Sequence, residues 1–352
     1  MKALEDEMFT WIRTNRNKCR FNLTNSGFSE PDLELFGINV SYEDYRLEMK
    51  EAPEIFTESI SSIYKVRKEN VVTTCGGTGG IFIANAYMKG KVSKIYVPPI
   101  EYMPMFLTPR SLGMPLAFKT PNREDFLSEK NFLFEFTNPN NPTGRSLDQR
   151  AINEMIGLAE ENDSYLYSDE TFRPFSMEEN PGTLFNGSER VMVSNTMTKF
   201  FGLGNLRVGW LIAEENIAKE LNNVKDLVTA EISNYSMWIA AQALANRKQF
   251  ISFARQIIEK NIRILKEFLA THTELESDLA DSSPIAYLKY RKGPGCVEFS
   301  RKLLQDTGIL VVPGRYFNDE NGFRICMTSD PSNFEEAMDL LNDYLNSTKI
   351  FY

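Results

Sequence analysis

The sequence predicts an α/β fold: a mostly parallel sheet flanked by helices, followed by a smaller α/β unit toward the C-terminus. Three observations carry this. From about residue 70 to 213, short apolar runs of strand length alternate with stretches of helical periodicity. Turn-forming clusters punctuate the runs, chiefly GGTGG at 76–80 and NPNNPTG at 138–144. After residue 214 the pattern changes to long helices and then to a second, shorter alternation. A chain that alternates in this way winds a parallel sheet with helices on both faces.

Each element has its own signal. NVVTTC (70–75) reads as a buried strand, GGTGG follows it, and IFIANAYM (81–88) reads as a helix. KIYVPP (94–99) is the next strand, ended by Pro98 and Pro99, which lack the N–H that a ladder needs. PLAFK (115–119), NFLFEF (131–136), SYLYSDE (164–170), RVMVSN (190–195) and RVGWLIA (207–213) repeat the strand pattern. Between two of these, SLDQRAINEMIGLAEEN (146–162) has apolar residues at helical spacing. Two Asn-Pro pairs after NFLFEF force that strand into a rigid turn. QIIEKNIRILKEFLA (256–270) is a long helix; IAYLKY, a helix near 296–307, GILVVPG, GFRICM and an amphipathic helix at 332–346 close the chain. The expected division is a large domain at 46–274 and a small domain at 275–352, the latter joined by the N-terminal segment 1–45.

Composition narrows the function. With 42% apolar and 25% charged residues the chain is of globular type, and a net charge of −9 opposes general binding to nucleic acid or anionic membranes. No run approaches the ~18–20 apolar residues of a membrane span, and MKALEDEMFTWIR has no signal-peptide apolar core. Cys19, Cys75, Cys296 and Cys326 form no CxxC pair, so a cysteine metal site or disulfide framework is not expected, and a cytoplasmic location fits. The single histidine, His272, follows a long helical pattern in a polar setting. Mechanisms built on a histidine base are thereby disfavoured. The proton carrier of an enzyme here is expected to be Lys, Asp, Glu, Tyr or a cofactor.

In an open α/β sheet, ligands bind where the carboxyl ends of the strands meet their loops. Those ends carry GGTGG, Tyr102, NPNNPTG, the SDE of 168–170 and the TMTK of 196–199. A dinucleotide reading of GGTGG fails, because Phe82 stands where the third glycine of that fingerprint belongs.

Together these segments resemble the aminotransferase class I/II family, pyridoxal-phosphate-dependent enzymes of fold type I related to aspartate aminotransferase. The resemblance runs from about residue 70 to 327 and more loosely from residue 20; NPNNPTG and SNTMTKFFGLGNLRVGW carry it most strongly. It implies pyridoxal phosphate as cofactor, amino transfer between an L-amino acid and a 2-oxo acid, and a homodimer with sites at the interface. Lys199 matches the Schiff-base lysine, and Asp169 matches the acid that keeps the pyridine nitrogen protonated. Asn141 matches the donor to the ring oxygen, and Tyr102 the stacking aromatic. Gly77, Thr78, Thr196, Thr198 and Arg207 match the phosphate cradle. Arg324 matches the arginine for the substrate α-carboxylate, Gly27 a segment that closes over the substrate, and Tyr42 or Tyr45 a residue reaching the neighbouring subunit. One departure stands out. The family usually reads Asp-Glu-x-Tyr, whereas here DETF puts Phe172 in the tyrosine's place. Some relatives with phenylalanine there decarboxylate phosphothreonine, so a pyridoxal-phosphate-dependent decarboxylase or lyase is the alternative, and an intact Lys199 and Asp169 oppose a non-catalytic binder.

Overall fold

The computed structural model describes residues 4–39, 51–348 and 350. An N-terminal segment carries helix α1 (Glu7–Asn15), capped by Asp6, and the short strand β1 (Phe21–Asn22). The large sheet follows: β2 (Val71–Cys75), β3 (Lys94–Val97), β4 (Leu116–Phe118), β5 (Phe132–Thr137), β6 (Tyr165–Asp169), β7 (Val191–Thr196) and β8 (Val208–Ile212). Its order is β2-β8-β7-β6-β5-β3-β4. Alternate residues of one strand serve opposite faces. Phe132, Phe134 and Phe136 of β5 enter one apolar cluster, and Leu133 enters the other. Burial on both faces explains why these strands read as continuous apolar runs rather than as alternating ones.

Pairings among β3 to β7 are parallel, while β8 lies antiparallel to both β7 and β2. The link from β7 to β8 holds no α-helix and is too short for a parallel crossover, so the chain must turn back. Consequently the start of β8, with Arg207 just before it, lies at the same sheet edge as the carboxyl ends of its neighbours.

Beyond the sheet, helix Arg247–Thr271 contains the expected 256–270 pattern within a longer run. A second, antiparallel sheet has the order β12-β13-β10-β9, built from β9 (Leu275–Glu276), β10 (Ile285–Tyr290), β12 (Val312–Pro313) and β13 (Gly322–Cys326). The run GILVVPG, read as one strand, serves two sheets. Its first part, β11 (Ile309–Leu310), pairs in parallel with β1, and its second part is β12. Among the described residues, no helix is long and apolar enough to cross a membrane.

Candidate active site

At the carboxyl edge of the large sheet lies a cavity of about 380 Å³. The structure brings Gly77, Thr78, Tyr102, Asn141 and Asp169 to its wall, together with Thr196, Thr198, Lys199 and Arg207. Each arrives by a local rule. Gly76 and Gly77 form the first turn of helix Gly76–Met88, not a separate loop before it as the sequence suggested. The glycines let the chain pass from strand to helix without a gap, because Gly76 takes φ +70°. An added Cβ there would stand 2.6 Å from Arg207 Nη2. Helix N–H groups, two threonine hydroxyls and a guanidinium thus converge. Thr196 Oγ1 and Thr198 Oγ1 share a hydrogen bond of 2.9 Å, and Thr196 Oγ1 also donates to the Val208 carbonyl. Such a set accepts an anion with several oxygens.

Asp169 ends β6 and is buried. Its Oδ1 accepts the Thr171 N–H at 3.0 Å and the Thr171 hydroxyl at 2.5 Å. Burial raises its pKa, opposed by the hydrogen bonds from Thr171 and by the charge of Lys199. Lys199 is half-buried. Its pKa is pushed down to about 8, first by burial and then by the like charges of Arg324 and Arg207. A lysine held so low has a far larger neutral, nucleophilic fraction near ordinary pH than a free lysine does.

NPNNPTG is braced from within. Asn140 Oδ1 accepts the Thr143 hydroxyl at 2.8 Å, and Asn138 Oδ1 accepts the Leu147 N–H at 3.0 Å. Asn138 therefore serves the turn, and Asn141 faces the cavity.

Arg324 lies behind Asn141 rather than on the cavity wall. On β13 its neighbours Phe323 and Ile325 are wholly buried in the core, and Arg324, 2% exposed, points to the other face. Its Nη1 donates to Asn141 Oδ1 at 2.8 Å and its Nη2 to the Thr24 carbonyl at 2.7 Å. The guanidinium lies 5.2 Å from the Phe317 ring centroid, and its Nε is buried without a partner. Desolvation lowers its pKa to about 10. Gly27 abuts the backbone of Lys199: an added Cβ would stand 2.5 Å from Lys199 Cα. The Phe28 N–H donates to the Lys199 carbonyl at 2.9 Å, and the Thr328 hydroxyl donates to the Gly27 carbonyl. Gly27 is thus a point of close backbone packing.

Phe172 lines the cavity and is 4% exposed. Arg173, the adjacent cation, turns away to the Pro181 carbonyl and to Glu170. His272 does not line the cavity. It caps the long helix, bonded to Glu274 Oε1 at 2.7 Å and Asn342 Oδ1 at 3.1 Å. Tyr42 and Tyr45 lie outside the described residues.

Several lining residues have little or no sequence signal. Phe9 and Arg13 reach the cavity from α1, far from any motif. Thr171 follows Asp169 at the spacing of an Asx-turn, which could have revealed it. Behind the lining, Glu101 is wholly buried beside Tyr102, and nothing in PPIEYMP marks it. Among the described residues, no group of three or more His, Cys, Asp or Glu could hold a metal ion.

Residues 42–341 match the family described as aminotransferase class I and II. The chain is 24% identical over 327 residues to aspartate aminotransferase of Thermotoga maritima, covering 88% of this chain and 84% of that one. It is 24% identical over 223 residues to capreomycidine synthase of Streptomyces vinaceus, covering 63% of this chain and 57% of that one. A crystal structure of a PLP-dependent aminotransferase from Streptococcus suis superposes with a TM-score of 0.86 at 22% identity, covering 99% of both chains. The chain thus belongs to the aminotransferase class I and II family, enzymes of fold type I that depend on pyridoxal phosphate.

Proposed function

We propose that this protein moves an amino group between an L-amino acid and a 2-oxo acid at Lys199. One observation carries this: a single cavity is lined at once by a lysine with a lowered pKa, a buried carboxylate and an anion cradle. Pyridoxal phosphate, when bound, supplies an aldehyde for amines and a ring that draws electrons from the substrate's α-carbon. The N–H groups of Gly77 and Thr78, the hydroxyls of Thr196 and Thr198, and Arg207 would hold its phosphate. Asp169, fixed by Thr171, would keep a proton on the ring nitrogen. Tyr102 would cover the ring face. Asn141 would donate to the ring oxygen through its amide nitrogen, since its Oδ1 already accepts from Arg324. Lys199 would carry the α-proton of the substrate, its lowered pKa suiting it to take and return a proton. Arg324 would take the α-carboxylate from behind Asn141, through N–H groups left over from its bonds to Asn141 and Thr24.

Arg13 is the charged lining residue left without a cofactor role, which favours donors whose side chain carries a negative charge. The family resemblance supports a homodimer with sites at its interface, Tyr42 or Tyr45 being the residues to reach the neighbouring subunit. The expected domain division at 274/275 is part of the same proposal.

A panel of amino donors and 2-oxo acids on purified protein tests the reaction. Donor is expected to be consumed only when an acceptor is present, with acidic donors leading. Phe172 favours a second reading, α-decarboxylation, because a phenyl ring stands where the family usually places a phenol. Release of carbon dioxide without an acceptor would replace the first reading by the second.

A further inference from the structure

Glu101 lies between β3 and helix Met103–Ser111 and is wholly buried. Four donors converge on its two oxygens. Oε1 accepts the Tyr102 N–H at 2.7 Å and the Thr137 hydroxyl. Oε2 accepts the Thr137 N–H at 2.9 Å and the Asn140 side-chain amide at 3.2 Å. Thr137 Oγ1 in turn accepts the Asn141 N–H at 2.8 Å. Glu101 is itself anchored, its N–H donating to the Phe317 carbonyl at 3.2 Å. The ring of that phenylalanine lies beside Arg324.

The two residues proposed to face the cofactor ring, Tyr102 and Asn141, therefore hang on one carboxylate. Tyr102 is tied by its own N–H, and Asn141 through the hydroxyl of Thr137. Strands β3 and β5 are neighbours in the sheet, so Glu101 spans two adjacent carboxyl ends and fixes one against the other. In its ionised form the side chain suits this task, because both oxygens accept and it brings no donor of its own; burial raises its pKa to about 8, and the bonds from Thr137 and Tyr102 oppose that rise. An amide in the same place would point its NH₂ at a backbone N–H and leave that group unpaired.

We infer that Glu101 is a positioning residue for the reaction: it sets the placement of the Tyr102 ring and the Asn141 amide, and through them cofactor affinity and the proton equilibrium of the Lys199–cofactor linkage. This rests on the proposed cofactor contacts of Tyr102 and Asn141. If Asn141 donates to the ring oxygen, loss of its placement destabilises the oxygen's negative charge, and the linkage keeps its proton to higher pH.

The experiment is an absorbance titration of the loaded enzyme without substrate, alongside the cofactor dissociation constant. Glu101→Gln is expected to raise the titration midpoint by about half a pH unit or more. It should also weaken cofactor binding by about tenfold, the scale of one buried N–H losing its acceptor. Glu101→Asp, which keeps two acceptor oxygens, should recover part of both. Thr137→Val keeps the N–H bonds of Thr137 and Tyr102 to Glu101 but removes the hydroxyl that joins Glu101 to the Asn141 N–H, so it should move the midpoint and lower affinity less than Glu101→Gln does. It also serves should Glu101→Gln fail to fold. An unmoved midpoint in Thr137→Val or in folded Glu101→Gln, with a moved one in Asn141→Ala, would overturn the role of Glu101. An unmoved midpoint in Asn141→Ala would instead remove the cofactor contact on which the inference stands, and the inference would fall with it.

Discussion

Asp169→Asn separates holding the cofactor from using it. The amide oxygen can still accept from Thr171, and the phosphate cradle is untouched, so the variant is expected to bind cofactor. Turnover should fall by about two orders of magnitude or more, roughly 3 kcal/mol in the barrier, because an amide cannot hold the ring proton. Single-turnover kinetics beside a cofactor titration check this; near-normal turnover would reduce Asp169 to a turn residue. Residues of this kind were legible because a motif fixes their neighbours: TMTK names Lys199, and NPNNPTG names Asn141. Glu101 and Arg13 were not. Their importance comes from groups distant in sequence, Thr137 for one and the cavity mouth for the other, and a single sequence shows neither contact.

Among elements, the entry from β2 into helix Gly76–Met88 allows the clearest test. Gly76→Ala meets two obstacles: a left-handed φ of +70° and a Cβ 2.6 Å from Arg207 Nη2. The first costs about 1 kcal/mol of stability. The second is met by the movable end of a side chain, so it should appear mainly as displacement of Arg207. The expected result is a modest loss of melting temperature with a disproportionate loss of cofactor affinity. A fall in stability alone would separate Gly76 from the anion cradle. Periodicity made most strands visible, because buried strands stand out as apolar runs. It could not show that β8 runs antiparallel, nor that GILVVPG divides between two sheets. Direction and partner depend on loop length and on chain hundreds of residues away, and hydrophobic pattern carries neither.

For the molecule as a whole, buried carboxylates give stability a pH dependence. Glu170 is buried, accepts the Leu184 N–H at 2.6 Å and faces Arg173 at 3.6 Å. Burial raises its pKa from the usual 4.5 to about 7, despite the opposing charge of Arg173. The folded state therefore holds this proton more tightly than the unfolded chain does. Its contribution is fully present below about pH 4.5 and is lost as pH rises through about 7, up to roughly 3 kcal/mol in all. Denaturant unfolding of the cofactor-free protein at pH 5 and pH 8 should show a flatter dependence for Glu170→Gln than for the parent. Identical slopes would mean that Glu170 ionises in the fold without cost.

The N-terminal segment has a consequence in time. β1 pairs with β11, and the Thr24 carbonyl takes Arg324 from a residue 300 positions later. Contacts of such separation close a long loop and form late in folding. Of the groups proposed to hold the cofactor, Asp169 and the phosphate cradle lie within the large sheet and its edges and bond to neither of these segments, whereas Asn141 also takes a bond from Arg324. A growing or refolding chain can therefore become a cofactor carrier before it becomes an amino-acid enzyme. In a refolding time course with pyridoxal phosphate present, the absorbance of bound cofactor is expected to return ahead of amino-acid turnover. Simultaneous return would mean that the first segment and the last sheet are already joined when the cofactor docks.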